Sequence, residues 1–173
     1  MDSFKVRELQ DTDAQALLEF EVRNRQWFES HIEPRAPEFY SLQGVAEHIA
    51  SCLGGLAAGN WHPMVILDYD QRIIGRANLK SINAAAGCAE VGYRIDQQAA
   101  GQGLATFALK RLIHEARNRW QLGQLVAFVY EQNLGSQKVL ARCGFLPAPD
   151  DADHSTANER RFVLSLEAQA ATA

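Results

Sequence analysis

The chain has 173 residues, 47% of them hydrophobic and 22% charged, with a formal net charge of −4; this describes one globular domain able to bury a core and argues against nonspecific nucleic-acid binding. The opening residues MDSFKVREL contain no apolar leader core, and no apolar run approaches the roughly 20 residues that span a bilayer, so no membrane association and a cytoplasmic location are expected. Cys52, Cys88 and Cys143 form an odd set without a CxxC pair, and the histidines at 31, 48, 62, 114 and 154 lack ligand spacing, so reduced thiols and no metal are expected.

In chain order, Phe4 to Leu9 alternates as a first strand, and Asp11 to Gln15 offers a helix start with capping-box spacing from Thr12 to Gln15. Ala14, Leu17, Leu18 and Val22 supply the apolar stripe of the helix that follows. The stretch from Arg23 to Pro37 mixes aromatics with charges and is stopped by Pro34 and Pro37. It reads as a substrate-side loop in which Glu29, His31, Glu33 and Arg35 can meet an acceptor, or as solvated charge above a core closed by Trp27, Phe28 and Ile32. Ser41 can cap a second helix with Val45, Ile49, Cys52, Leu53 and Leu56 on one face, ended by the glycines at 54, 55 and 59. Met64 to Leu67 and Ile73 to Leu79 read as a hairpin around the polar turn Asp68 to Gln71. With the strand that follows the small-residue loop 83–88, they predict three adjacent antiparallel strands.

The next stretch, AEVGYRIDQQAAGQGLAT from Ala89 to Thr106, joins a strand, a glycine turn and a helix start. Val91, Tyr93 and Ile95 alternate with Glu90, Gly92 and Arg94; from Gly103 onward Ala105, Leu109, Leu112, Ile113, Ala116 and Trp120 recur at helical spacing. Gly101 and Gly103 let the backbone turn sharply and present successive N–H groups at a helix N-terminus, which suits a pyrophosphate. The same glycines would also serve a tight strand-to-helix connection without a ligand. The turn has neither the Lys-Ser/Thr of a Walker A loop nor the first glycine of the dinucleotide fingerprint. Beyond the long helix, Leu125 to Tyr130 is a short apolar run that a right-handed crossover would set parallel to the signature strand. Gly144-Phe145-Leu146 begins a sixth strand, Arg161 to Leu166 gives a seventh, and the tail from Ala168 is expected to fray. No Gly-x-Ser-x-Gly elbow is present.

Gln98-x-x-Gly101-x-Gly103, entered by Glu-Val-Gly-Tyr and left by Leu-Ala-Thr, resembles the acetyl-CoA signature of the GCN5-related N-acetyltransferases, the GNAT family. The block Asn133-Leu-Gly-Ser136-Gln-Lys-Val-Leu-Ala-Arg-Cys-Gly144-Phe145 resembles the family's second motif, in a form most similar to the RimJ/RimL-like branch of ribosomal-protein N-terminal acetyltransferases. The resemblance implies an α/β GNAT fold in residues 1–167, with 168–173 as a tail. Its mixed, mostly antiparallel sheet would have six to seven strands and about four flanking helices. A bulge in the fourth strand would splay it from the fifth, and pantetheine would lie in the gap. The implied acetyl-CoA contacts are Tyr93, Arg94, Ile95, Gln98, Gly101, Gln102, Gly103, Leu104, Ala105, Thr106, Asn133 and Ser136.

The implied reaction is direct attack of a primary amine on the thioester. The acceptor would be a protein N-terminus of the ribosomal type or a small amine such as a polyamine, amino acid or antibiotic; a non-catalytic acyl-CoA-binding module is the third reading. A monomer or homodimer is expected. An amine must lose its proton and a thiolate must gain one. Glu90 is the only acidic residue of the signature strand and can act as base through a water, or be a solvated strand residue. RimL-like sequences place an acid in the preceding loop, where this chain reads Ser81-Ile-Asn83-Ala. Leu140 stands where many GNAT proteins carry a tyrosine donor. Ser136, one turn earlier on a helix N-terminus, is the implied donor to the thiolate, unless it only caps that turn; Tyr130 or water are the other candidates. Cys143 is expected to be a packed thiol.

Overall fold

The computed structural model describes residues 4–149 and 158–167; the expected tail from Ala168 lies outside them. Among the described residues there are seven strands: β1 (Lys5–Glu8), β2 (His62–Leu67), β3 (Ile73–Asn83), β4 (Cys88–Ile95), β5 (Gln124–Tyr130), β6 (Leu146–Ala148) and β7 (Glu159–Ser165). The described α-helices are α1 (Ala14–Arg23), α2 (Arg25–Glu29), α3 (Leu42–Ala58), α4 (Leu104–Asn118) and α5 (Leu134–Arg142). All strands join one sheet in the order β1-β2-β3-β4-β5-β7-β6. Every pairing is antiparallel except β4 with β5, the parallel step that the α4 crossover requires.

Helices cover both faces of the sheet, so β2, reading HPMVIL, is buried along its whole length, as a central strand between two cores must be. On one face Met64, Ile66, Leu79 and Val91 pack with Leu104, Ala108, Leu109 and Leu112 of α4. On the other, Val65, Leu67 and Ile73 pack with Leu17 and Phe20 of α1, Phe28 of α2, and Val45, Ile49 and Cys52 of α3. Phe28 therefore closes the core, with Trp27 and Ile32 partly buried beside it.

Local details depart from the sequence pattern where tertiary packing overrides it. In the 3-10 turn Asp11–Asp13 that leads into α1, Gln10 N–H donates to Asp13 Oδ2 at 2.8 Å, so the capping box falls two residues earlier than the Thr12–Gln15 spacing, and α1 itself starts without a side-chain cap. The buried stripe of α1 runs through Leu17, Phe20 and Glu21, and Val22 is 52% exposed. Ser41 does cap α3, accepting from Gly44 N–H at 3.0 Å. The helix then continues through Gly54 and Gly55 and ends at Gly59 with φ 79°. Gly55 has a packing reason: a Cβ there would stand 2.7 Å from Trp61 Cβ. Trp120 lies past the end of α4, donating its indole N–H to His62 Nδ1 at 2.9 Å. The bulge expected in the fourth strand lies instead in β3. Between the pairs Lys80–Glu90 and Asn83–Cys88, β3 advances one residue more than β4, and Ser81 takes φ 49° to absorb it.

Candidate active site

Strand β4 pairs with β5 only over Cys88, Ala89 and Glu90, so the two part from Val91 onward. Asp96 N–H donates to Ile74 O on the β3 side, and β4 pairs with β3 without a shift from Glu90 to Ile95. Antiparallel alternation therefore turns the backbone groups of Gly92 and Arg94 toward β3 and those of Val91, Tyr93 and Ile95 into the gap. These groups form an unpaired strand edge, the feature to which an extended chain adds. At its end the chain passes through the turn to α4.

Asp96 fixes that turn. Its buried carboxylate accepts from Gln98 N–H at 2.9 Å, from Arg23 Nε and Nη2 at 2.9 and 2.6 Å, and from Asn24 Nδ2 at 3.2 Å. Gln97 N–H reaches Asn24 Oδ1 at 3.0 Å. Burial pushes the carboxyl upward, and these donors, Arg23 foremost, hold it below its ordinary range. The sequence reading missed this anchor, although an Asp two residues before Gln98 is an Asx-turn signal.

Gly101 and Gly103 have φ 77° and 79°, values that strain any residue with a Cβ. A Cβ at either position would meet nothing within 4 Å, so the dihedral and not crowding requires glycine. Among the described residues, no acceptor is present for any backbone N–H from Gly101 to Thr106; the first bond of the helix is Phe107 N–H to Gly103 O at 3.0 Å. Six consecutive donors at a helix N-terminus make a ready anion cradle. Gln98 and Gln102 are exposed beside it, the Gln102 amide donating to Gln98 O at 3.3 Å, whereas the Leu104 side chain is buried in the core.

Across the gap, Asn133 caps α5 by accepting Ser136 N–H at 3.2 Å. The Ser136 hydroxyl lies 2.7 Å from the Tyr93 hydroxyl, a contact between β4 and the first turn of α5. The Tyr93 phenol is pushed up to about 12, by burial first and against the Ser136 hydrogen bond, so it keeps its proton at neutral pH. Leu140 is fully buried in the core and has no proton to give. Cys143 is partly buried, and burial raises its thiol pKa despite Lys110, opposite to what a nucleophile needs. Tyr130 ends β5, its phenol raised by burial and by Glu159 and Glu33.

The opposite face of β4 carries the even-numbered side chains. Glu90 lies at the closed end of the splay, its carboxylate 2.9 Å from Lys80 Nζ with both groups about 30% exposed. Gly92 leaves room for this pair, since a Cβ there would stand 3.0 Å from Lys80 Cε. Arg94, expected at acetyl-CoA, turns its guanidinium away from the gap to Glu21 at 3.4 Å and lies over the Phe28 ring at 5.1 Å. Of the charged residues expected to face an acceptor, Arg35 joins the same carboxylate at 3.7 Å. Glu29 pairs with Arg25 at 3.0 Å, His31 bonds Ser30 and Trp27 within its own turn, and Glu33 is exposed. No group of three or more His, Cys, Asp or Glu among the described residues can hold a metal. No described helix is long and apolar enough to cross a membrane.

The family model for the acetyltransferase (GNAT) domain matches residues 4–146. The chain belongs to the GNAT acetyltransferase family. This GNAT chain is 32% identical to the probable N-acetyltransferase YjcK of Bacillus subtilis over 142 residues, 81% of this chain and 78% of that one. Its fold matches that of the ribosomal-protein-S5-alanine acetyltransferase from Vibrio fischeri, with a TM-score of 0.89 at 19% identity, over 97% of this chain and 96% of the other. It also matches Mycobacterium smegmatis RimJ in complex with CoA-disulfide, with a TM-score of 0.82 at 19% identity, over 94% and 81%. The GNAT domain makes the protein an N-acetyltransferase that uses acetyl-CoA.

Proposed function

We propose that the chain transfers acetyl from acetyl-CoA to a primary amine by direct attack, with the nucleotide end held at the glycine turn and the thioester end in the β4–β5 gap. The observation that carries this reading is the run of six unpartnered N–H groups from Gly101 to Thr106 continuous with the unpaired edge of β4. The first would receive the pyrophosphate. The second would receive pantetheine as an added strand through Val91, Tyr93 and Ile95. Gln98, Gln102 and Asn133 border this path.

In this reading the amine nitrogen bonds to the thioester carbon, the C–S bond breaks, and Ser136 gives its hydroxyl proton to the departing thiolate while Tyr93 returns one to Ser136. The 2.7 Å hydroxyl pair supports this assignment, and the raised pKa of Tyr93 means only that the phenol enters the step protonated; burial makes it a weaker acid, so the transfer is driven by the charge developing on the thiolate. Glu90 would take the amine proton through water, which requires its carboxylate to loosen from Lys80. The acceptor in the leading reading is a protein N-terminus, as the names of RimJ-type relatives suggest, and a cytoplasmic setting accompanies it. Thiol release from acetyl-CoA, measured against N-terminal peptides and small amines, tests the reading. A folded protein that binds acetyl-CoA and releases thiol with no amine would be an acyl-CoA-binding module instead. If Glu90→Gln leaves the pH profile of kcat/KM unaltered, Glu90 is not the base.

A further inference from the structure

On the sheet face away from α4, three guanidinium groups share one carboxylate. Glu21 of α1, fully buried, lies 3.1 Å from Arg76, 3.4 Å from Arg94 and 3.7 Å from Arg35. Among the described residues, the groups packed around them supply no further negative charge. Arg23 is taken up by Asp96, Arg25 by Glu29 and Lys80 by Glu90, so each nearby acid is already balanced. His48 accepts from Arg76 at 3.0 Å and stays neutral, its pKa held down to about 3 by burial and by Arg76, Arg35 and Arg94. The Cys52 thiol and Tyr40 phenol are both raised, chiefly by burial, and are neutral too. Among the described residues, two positive charges therefore stay uncompensated in a partly desolvated place, an arrangement that costs free energy unless an anion completes it.

Unused donors lie in the same place. Nε of Arg76 and Nε of Arg35 are buried without a hydrogen-bond partner among the described residues, and Arg76 itself is 2% exposed. Arg35 and Arg94 form the accessible side of the cluster, with 23% and 18% of their side chains exposed. They lie over the Phe39 and Phe28 rings at 4.4 and 5.1 Å, which holds the guanidinium groups in place while N–H edges remain for a planar anion. Arg94 stands between Tyr93 and Ile95 in the segment of β4 that is unpaired on its β5 side, so the cluster lies on the other face of the same strand segment whose edge borders the gap.

We infer that Arg35 and Arg94 bind a carboxylate of the acceptor, so the amine this chain acetylates belongs to a molecule that also bears an acidic group. This rests on the acetyl-transfer reading and narrows its substrate class. Free amino acids and peptides with an acidic side chain next to the N-terminal residue share that chemistry. A polyamine does not, because its cations would approach a site that already holds excess positive charge.

Matched acceptors separate these cases: alanine against alaninamide, and C-terminally amidated tripeptides with Asp against Asn at the second position, with spermidine as the cationic control. Thiol release gives kcat/KM for each, and calorimetry in the presence of CoA gives each acceptor's binding. The carboxylate member of one pair is expected to exceed its amide by about tenfold or more in kcat/KM, through KM, and to bind tighter by a similar factor. The pair that discriminates identifies the source of the carboxylate. Arg35→Met should abolish the discrimination. Arg35→Lys, which keeps the charge and loses the planar fork, should abolish part of it, and serves if the methionine variant does not fold. Equal kinetics within both pairs, a preference for spermidine, or discrimination that survives in folded Arg35→Met overturns the inference while leaving the acetyl-transfer reading intact. If no amine releases thiol, that reading fails, and the wild-type binding comparison still decides whether the carboxylate site exists.

Discussion

On the gap side of β4 the free groups belong to the backbone: N–H groups of the turn from Gly101 to Thr106 and the strand edge at Val91, Tyr93 and Ile95. On the opposite face they belong to side chains, with Arg35, Arg76 and Arg94 gathered about Glu21. A backbone cradle recognises what every acyl-CoA has in common and needs only two glycines and a helix start. A side-chain cluster recognises one charge pattern and can be changed residue by residue without disturbing the turn. One strand can thus hold a constant donor substrate on one side and a particular acceptor on the other.

Substitutions that act on one side only are the means of breaking this division. The largest effect is expected from Glu21→Gln, which leaves three arginines without their counter-charge and should cost about 3–5 kcal/mol in denaturant unfolding. A loss below about 1 kcal/mol would mean that Glu21 does not balance the cluster. Next, Ser136→Ala should lower kcat by about 10²-fold while acetyl-CoA affinity measured by calorimetry stays similar, because a leaving-group donor acts only in the transition state. Near-normal kcat with the best amine would leave water or Tyr130 as the donor. Tyr93→Phe removes only the partner of Ser136 and should cost roughly tenfold in kcat, about one hydrogen bond.

The smallest effect concerns pH. His48 is held neutral in the folded chain, with its pKa lowered from 6.5 to about 3. The unfolded chain therefore takes up a proton there that the folded chain refuses. The stability tied to this group is fully present above about pH 6.5 and falls as pH falls from there toward 3. In thermal unfolding at pH 7 and pH 5, His48→Gln should show a smaller acid-induced drop in Tm than the wild type. An identical drop would mean that other groups carry the acid sensitivity.

The gap side of β4 was legible in the sequence because its signals are local. Alternation through Val91, Tyr93 and Ile95, the glycines at 101 and 103, and the period of α4 all lie within thirty residues of one another, and each has a backbone cause. The opposite face was legible only in Arg35, which the charged and aromatic stretch before Pro37 offered to an acceptor; the rest of its cluster was not. Arg76 and Arg94 lie 55 and 73 positions from Glu21, and the apolar pattern of α1 placed Val22, not Glu21, toward the core. The Tyr93–Ser136 contact spans 43 positions and exists only because β4 and α5 face each other across the gap. The bulge fell in β3 because Ser81 takes the positive φ that the alternation of β4 could not disclose.

The division between the two sides is tested most directly by titrating acetyl-CoA and acetyl-pantetheine, which lacks the nucleotide and pyrophosphate, into wild type and Gly103→Val. Valine at φ 79° strains the turn by roughly 1–2 kcal/mol and meets no neighbour at its Cβ, so the domain should remain folded by circular dichroism. If the turn binds the pyrophosphate, acetyl-CoA affinity drops about tenfold or more and acetyl-pantetheine affinity is unchanged. Equal acetyl-CoA affinity in the two folded proteins would contradict that placement and leave Gly103 as a glycine required by the turn's dihedral alone.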